Sequence, residues 1–245
     1  MSLHTYLDQG LTILRTQLSN RPLTRPASEQ AVKPFITLSR ETCAGAATLG
    51  RTLLPMLNRD FGEEGRSWMF LDKDLLTRAL SQGRLPEHLA DYLPEDRVSE
   101  TKALIGELVG LHPPIWQLEQ QVFEAIVQLA RLGRVILAGR GGHLLTRDLT
   151  GGLHVRLVAS FETRVHRHMA VEHCDKTQAE SAVRKSDIAR RRFVRTNFEQ
   201  DIDDPHAYDL VINTDRIGPE TAARLVITAL HESLATPQTA SAAKA

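Results

Sequence analysis

The stretch Val135-Ile136-Leu137-Ala138-Gly139-Arg140-Gly141-Gly142-His143-Leu144-Leu145 decides how this chain is read. Four small or apolar residues in a row have the pattern of a strand buried on both faces, and they run straight into a glycine-rich turn. Gly139 is a position where backbone can approach a ligand closely, and Arg140 carries a planar fork that matches phosphate oxygens. The stretch reads as a phosphate-handling corner at the end of a sheet. Taken alone it is equally a plain loop after a strand, so the surrounding chain has to decide.

Outward from that corner, strand-like and helix-like runs alternate, as a parallel sheet built from βα units requires. Phe35-Ile36-Thr37-Leu38 is a first strand, and Leu49, Leu53, Met56 and Leu57 mark one face of the helix after it. Pro55 argues against an undisturbed helix there, because an interior proline removes a hydrogen bond. Trp68-Met69-Phe70-Leu71 is a second strand, ending at Asp72. The stretch to Arg131 is mostly helical, interrupted by Pro94 and Pro113-Pro114, and Ile115, Leu118, Val122, Ile126 and Leu129 line its last helix. Gly133 can cap that helix before the third strand, Val135 to Ala138. His154 to Ala159 is the fourth strand; Ser160 can cap the next helix, with Glu162 in its first turn. Leu210-Val211-Ile212-Asn213 is the fifth, and Pro219 opens a final helix.

The expected fold is a three-layer α/β domain over residues 34–235: a five-stranded parallel sheet flanked by helices, with ligands at the C-terminal strand ends. Leu3, Tyr6, Leu7, Leu11, Leu14 and Leu18 give residues 1–33 an amphipathic helix and a proline-containing link. That helix packs on the main body or on a partner subunit, which leaves a homo-oligomer possible. Residues 236–245, rich in Ala, Ser and Thr, read as a disordered tail.

Composition narrows the function classes. With 245 residues and 42% hydrophobic content the chain can build a full core, and 30 basic against 30 acidic residues leave no global field for nucleic acid or an anionic membrane. Any cationic site must be local. Cys43 and Cys174 make no disulfide framework, and no early apolar run resembles a leader or a spanning helix, so a cytoplasmic setting is expected.

Two further segments bear on chemistry. Between the first strand and its helix lies Ser39-Arg40-Glu41-Thr42-Cys43-Ala44-Gly45-Ala46-Ala47-Thr48, whose small residues leave backbone N–H groups free to face an anion. A phosphate loop normally ends in Gly-Lys-Ser/Thr, whereas here Ala46 and Ala47 follow Gly45 and only Thr48 can supply a hydroxyl. Phosphate loop and ordinary tight turn both remain open. Cys43 is either an acidified thiol at a helix end or a small buried one. The other segment, Thr177 to Arg195, opens on a capping box of Thr177 and Glu180. It carries Arg184, Lys185, Asp187, Arg190, Arg191, Arg192 and Arg195, with Arg184, Asp187 and Arg191 on one face. A polyphosphate clamp and a solvated basic face, with Asp187 pairing its neighbours, both satisfy that pattern.

Taken in order, Ile36-Thr37-Leu38-Ser39-Arg40-Glu41, Leu71-Asp72-Lys73-Asp74-Leu75-Leu76, Val135 to Gly142, His154 to Ala159, Asp187-Ile188-Ala189-Arg190 and Tyr208 to Asp215 resemble the cytidylate kinase-like family. That family lies within the P-loop nucleoside monophosphate kinases, and the resemblance spans roughly Pro34 to Leu230. It implies helical acceptor-binding and lid insertions, the lid at about residues 175–200, with ATP and Mg²⁺ as cofactors. It places Ser39, Arg40, Gly45, Ala46, Ala47 and Thr48 at the nucleotide, Thr48 also at the metal, and Asp72 and Arg140 at the acceptor. Arg184, Asp187 and Arg190 would be lid residues closing over the transferring group.

The chain departs from that pattern at three places. Ala46 stands where characterised cytidylate kinases have the loop lysine, Ala47 where relatives often keep arginine, and Cys43 where there is glycine. Ala138 and Gly141 stand where those kinases have acids that help to hold Mg²⁺. The expected activity is phosphoryl transfer from ATP to a nucleoside monophosphate or related small acceptor; the alternative is a nucleotide-binding pseudokinase that senses or scaffolds. His166, His168, His173 and Cys174 match no standard zinc spacing and read as surface residues. Asp203-Asp204-Pro205 reads as a turn rather than a catalytic carboxylate pair.

Overall fold

The computed structural model describes residues 33–62, 67–72, 115–139 and 141–235, with side chains in the helix after Pro114 from Val122 onward. The expected N-terminal helix, the helical stretch after Asp72, the tail and Arg140 lie outside the described residues. Five strands, β1 (Phe35–Arg40), β2 (Met69–Asp72), β3 (Val135–Ala138), β4 (Gly152–Val158) and β5 (Leu210–Asn213), form one parallel sheet in the order β2-β3-β1-β4-β5. The helices are α1 (Ala46–Phe61), α2 (Ile115–Leu132), the single turn α3 (Gly142–Leu145), α4 (Phe161–Glu172), α5 (Lys176–Phe198) and α6 (Pro219–Ala235).

Alternation along β1 sets the layers. Ile36 and Leu38 pack into one core with Leu49, Leu53 and Leu57 of α1 and Val226 and Leu230 of α6. Phe35 faces the other way, onto Val122, Ile126 and Leu129 of α2. The central strands are buried on both faces, so β3 reads as an unbroken apolar run and β1 as a mostly apolar one up to Leu38. A third small cluster, Val165 with Ala179 and Val183, zips α4 to α5.

All five expected strands are present; β3 and β5 keep their expected ends, β2 runs one residue later, from Met69 to Asp72, and β1 and β4 differ. β1 runs on to Arg40 and β4 begins at Gly152 because the two pair from Phe35↔Gly152 to Arg40↔Leu157. β4 ends at Val158, one residue short of Ala159. Gly133, at φ +74°, closes α2 by donating to the carbonyls of Leu129 and Ala130. Ser160 caps α4 by accepting from the Thr163 amide, with Glu162 in the first turn.

Two helical expectations are corrected. α1 continues through Pro55. Pro55 and Arg51, whose carbonyl loses its partner, both lie on the exposed side, so water can serve that carbonyl while Leu49, Leu53 and Leu57 anchor the other face. The capping box of α5 is Asp175 with Gln178, not Thr177 with Glu180: Asp175 Oδ1 accepts from the Gln178 amide at 2.9 Å and Gln178 Oε1 from the Asp175 amide at 3.2 Å. Aspartate is the better cap, and α4 ends at His173 in a left-handed turn that delivers Asp175 to that position. Thr177 is already helical, and Glu180 sits near Lys176 at 3.9 Å.

Candidate functional site

The turn from Glu41 to Gly45 joins β1 to α1 at the C-terminal end of the sheet. Its backbone is unusual: Cys43 has φ +61° and Gly45 has φ +93°. A left-handed cysteine is costly by about 1 kcal/mol or more, and such conformations persist where surrounding contacts enforce them. Gly45 is the N-cap of α1 and no side chain caps that helix. The first-turn N–H groups, from Ala46 onward, have no intrahelical acceptor and so present the positive end of a 16-residue helix.

The contacts that enforce the turn come largely from α4. Arg164, 6% exposed, donates from Nε to the Ala159 carbonyl and from Nη1 to the Thr42 carbonyl at 3.4 Å. Arg167, one helical turn on, donates from Nη1 to the Cys43 carbonyl at 3.3 Å and to Thr214 Oγ1 at 2.9 Å. Thr214 in turn donates to the Ala44 carbonyl. Arginines therefore fix the carbonyls of the turn. Glu41 is also structural, accepting from the Ala159 amide at 2.9 Å beside Arg164. Cys43 Sγ lies 3.6 Å from His168 Nδ1, and burial pushes its thiol above the ordinary range, so the acidified-thiol reading has no support.

The second helix to reach the turn is α5. Asp187 Oδ1 accepts from the Thr42 amide at 2.9 Å and from Thr42 Oγ1 at 2.6 Å, while Oδ2 pairs with Arg164 Nη1 at 2.5 Å. Burial by itself would raise this carboxyl; the Thr42 hydrogen bonds and Arg164 outweigh it and hold the group below its ordinary value. Arg190, one turn on, reaches Thr42 Oγ1 from Nε at 3.5 Å. It also lines a cavity of about 240 Å³ at the C-terminal ends of β1 and β3.

That cavity has Thr37, Ser39 and His143 among its floor and wall residues, Arg40 and Gly139 at the strand ends, and Ser186, Arg190 and Phe193 of α5 over it. The glycine corner is shaped for these neighbours. A Cβ on Gly139, at φ +94°, would fall 2.1 Å from Arg40 Nη1, so the guanidinium lies across bare backbone. A Cβ on Gly141 would fall 2.4 Å from the Phe198 ring at the end of α5. Below Ser39, Arg156 is a buried cation that donates to Ser39 Oγ at 3.1 Å and pairs with Asp203. Asp203 also accepts from Arg191 at 2.6 Å, tying α5 to β4, while Asp204 caps the short turn Pro205–Ala207 as the turn reading expects.

The expected site residues thus fall into groups. Ser39, Arg40 and Arg190 meet at the cavity. Gly45, Ala46, Ala47 and Thr48 form the helix N-terminus, where Ala46 is buried in the core and Ala47 and Thr48 are exposed. Arg184 sits apart, its guanidinium 4.1 Å over the Phe161 ring. Asp187 is engaged with Thr42 and Arg164 rather than orienting Arg184. Asp72 ends β2 opposite Ala138, and Arg140 lies outside the described residues. Arg164, Arg167 and His143 were not singled out from sequence; the first two stood at i, i+3 on a capped helix, a signal too common to read alone.

A polyphosphate fits this donor set through the uncapped α1 N-terminus and the nearby arginines. A protein-held Mg²⁺ does not. Thr48 offers one exposed hydroxyl, Glu41 and Asp187 are committed to amides and Arg164, and among the described residues no three metal-binding side chains gather.

The description of the cytidylate kinase-like family matches residues 35–216. The chain belongs to that family. A cytidylate kinase of Methanocaldococcus jannaschii is 26% identical over 116 residues, 46% of this chain and 65% of that enzyme, so the match spans less than two-thirds of the relative. A structure of an uncharacterized protein from Eubacterium ventriosum superposes with a TM-score of 0.60 at 16% identity, covering 81% of this chain and 99% of that one. A shikimate kinase from Bacteroides thetaiotaomicron is more distant, at a TM-score of 0.43 and 13% identity, over 84% and 100%. The fold is a five-stranded parallel sheet flanked by helices, and the family supports kinase-like phosphotransfer in general terms. Among the described residues no helix is long and apolar enough to cross a membrane.

Proposed function

We propose that this protein transfers the terminal phosphoryl group of ATP, bound as its magnesium complex, to a nucleoside monophosphate or related small acceptor. The observation that carries the reading is the position of Arg190. It reaches Thr42 of the phosphate-loop turn and also lines the cavity that holds Arg40, so one guanidinium stands between a polyphosphate seat and an acceptor seat. Phosphoryl transfer asks for that: two anionic groups brought into line, and positive charge where the transferring oxygens pass. α5 acts as the lid in this reading, shielding the cavity from water from the side of Ser186, Ala189 and Phe193.

The residues divide the work. The α1 N-terminus receives the polyphosphate through backbone donors; Arg164 and Arg167 hold the turn in its left-handed shape; Arg40 and Arg190 neutralise the transferring group and the acceptor phosphate. Mg²⁺ carried with ATP would supply charge neutralisation, and among the described residues no set of side chains gathers to hold it. Incubating purified protein with ATP and Mg²⁺ and a panel of nucleoside monophosphates, and measuring ADP, tests the proposal. ADP release that depends on one acceptor is expected; none above the ATP-only rate with any acceptor removes catalysis.

A second reading has its own support. Ala46 is buried where a lysine side chain would reach phosphate, and the Asp187 carboxylate occupies the Thr42 amide and hydroxyl. A binder without turnover, with α5 as its responsive element, fits those two facts. Nucleotide binding by calorimetry with no ADP formed selects it.

A further inference from the structure

Among the described residues that line the cavity, one side chain carries a polar atom without a hydrogen-bond partner. His143 is 3% exposed, lines the cavity from the first turn of α3, and its Nε2 is buried with no hydrogen-bond partner. The surrounding polar groups are served. Thr37 Oγ1 bonds His154 Nδ1 at 2.8 Å; Tyr208 donates to the Ile202 carbonyl at 2.8 Å; Ser39 Oγ is held by Arg156. Among the described residues only Trp68 Nε1 shares this condition, and Trp68 lies in the apolar core rather than on the cavity. Buried polar atoms without partners are rare in folded proteins and mark places where a water or a ligand group completes the bonding.

The ring is fixed in place by stacking on Tyr208, at 4.5 Å between centroids. Its surroundings keep it uncharged, with burial first and then the neighbouring His154, Arg156 and Arg147 opposing protonation. The cavity therefore has two unlike ends. Arg40 at the end of β1 and Arg190 on α5 are cations suited to phosphate; on the turn whose Gly142 packs against Thr37 stands a neutral imidazole, suited to an uncharged group. An inorganic anion alone would leave the imidazole unused.

We propose that His143 is a specificity-determining residue of the acceptor cavity, its Nε2 hydrogen-bonding an uncharged group of a phosphorylated ligand, a sugar hydroxyl or a base edge held away from the phosphate. This rests on the phosphotransfer reading of the cavity and names the chemistry of the acceptor's other end. A ligand lacking such a group leaves Nε2 unsatisfied, so the cavity discriminates against bare phosphate by its floor rather than by its cations.

The test uses three probes on the full chain by calorimetry: inorganic phosphate, ribose 5-phosphate and cytidine monophosphate. His143→Phe keeps the aromatic stack on Tyr208 and removes both nitrogens. Phosphate affinity is expected to stay within about twofold, while the best-binding organic phosphate weakens roughly tenfold, the ratio one neutral hydrogen bond gives. A tenfold loss shared by both organic probes assigns a sugar hydroxyl; a loss confined to cytidine monophosphate assigns the base edge. Equal affinity of wild type and variant for all three overturns the inference and leaves the phosphotransfer reading standing. No binding of any probe to wild type overturns both. As a readout independent of the variant's folding, the ¹⁵N resonance of His143 Nε2 in labelled wild type should shift with the organic probe and not with phosphate; no shift on saturation also overturns the inference.

Discussion

Lowering the pH from about 7.5 to about 5 should cost this protein stability, and His143 carries a share of that loss that one substitution can read out. In the folded chain its imidazole is pushed down to about 3 from an ordinary value of 6.5, chiefly by burial, with His154, Arg156 and Arg147 adding to it. The folded state therefore refuses a proton that the unfolded chain accepts below pH 6.5. Stability from this group is complete above that value and falls by about 1.4 kcal/mol per pH unit until the folded value is reached. At pH 5 the deficit is on the order of 2 kcal/mol, a sizeable share of an ordinary domain's stability of about 5–15 kcal/mol. Urea unfolding of wild type and His143→Phe at both pH values isolates the effect, since every other histidine is present in both chains. The gap between the two proteins should shift by about 2 kcal/mol in the variant's favour on acidification. A gap unchanged within about 0.5 kcal/mol would show that the ring accepts a proton in place, and the account of an uncharged cavity floor would fail with it.

Asp187→Ala should destabilise by about 3 kcal/mol in thermal or urea unfolding, because Arg164, with its side chain 7% exposed, loses its closest carboxylate and Thr42 loses an acceptor; a loss below 1 kcal/mol would mean that the pair is loosely held. The Asp187 carboxyl is held below its ordinary value, so this contribution is present above about pH 4 and disappears as pH falls through the folded value. Gly139→Ala places a methyl 2.1 Å from Arg40 Nη1 at φ +94°; about 1–2 kcal/mol of stability should go to backbone strain, and phosphate affinity should fall because the guanidinium must move. Unaltered phosphate binding by calorimetry would remove Arg40 from the site. Arg190→Lys keeps charge and loses the fork, so kcat should drop at least tenfold, whereas Arg184→Lys, changed at a residue stacked on Phe161, should leave kcat within about twofold; equal effects would contradict the separation of the two arginines.

What the sequence disclosed follows from what side-chain patterns encode. A strand buried on both faces appears as an apolar run, so Val135 to Ala138 is read to the residue; the edge strand Leu210 to Asn213, where only Ile212 is buried, is read to the residue from its apolar run as well. Ser39 and Arg40 interrupt such a run, yet their backbone is strand because it pairs with Arg156 and Leu157, and pairing leaves no trace in hydropathy. Pro55 misled because its missing hydrogen bond faces water. At the site, Arg40 and Arg190 could be named from pattern, but which arginine of α5 turns inward could not: Arg184 and Arg190 differ only in what α4 and β1 place beneath them. Arg164, Arg167 and His143 were invisible for the same reason. A buried arginine or an unsatisfied histidine is defined by neighbours far away in the chain.

The loss of the loop lysine has a structural consequence that bears on both functional readings. Ala46 is sealed in the core, and Arg164 and Arg167, the nearest cations on α4, are committed to the carbonyls of Thr42 and Cys43. They shape the turn, so in the phosphotransfer reading the transferring charge would fall to Arg40 and Arg190, one on β1 and one on α5. A lysine in the loop would neutralise phosphate whether or not α5 is docked; arginines split between β1 and α5 would act together only with α5 down. In the phosphotransfer reading turnover would be tied to the contact of Asp187 and Arg190 with Thr42, and any ligand that draws α5 toward the loop would gain affinity by it. The same coupling serves a sensor, in which the docking of α5 is the output rather than a step on the way to ADP.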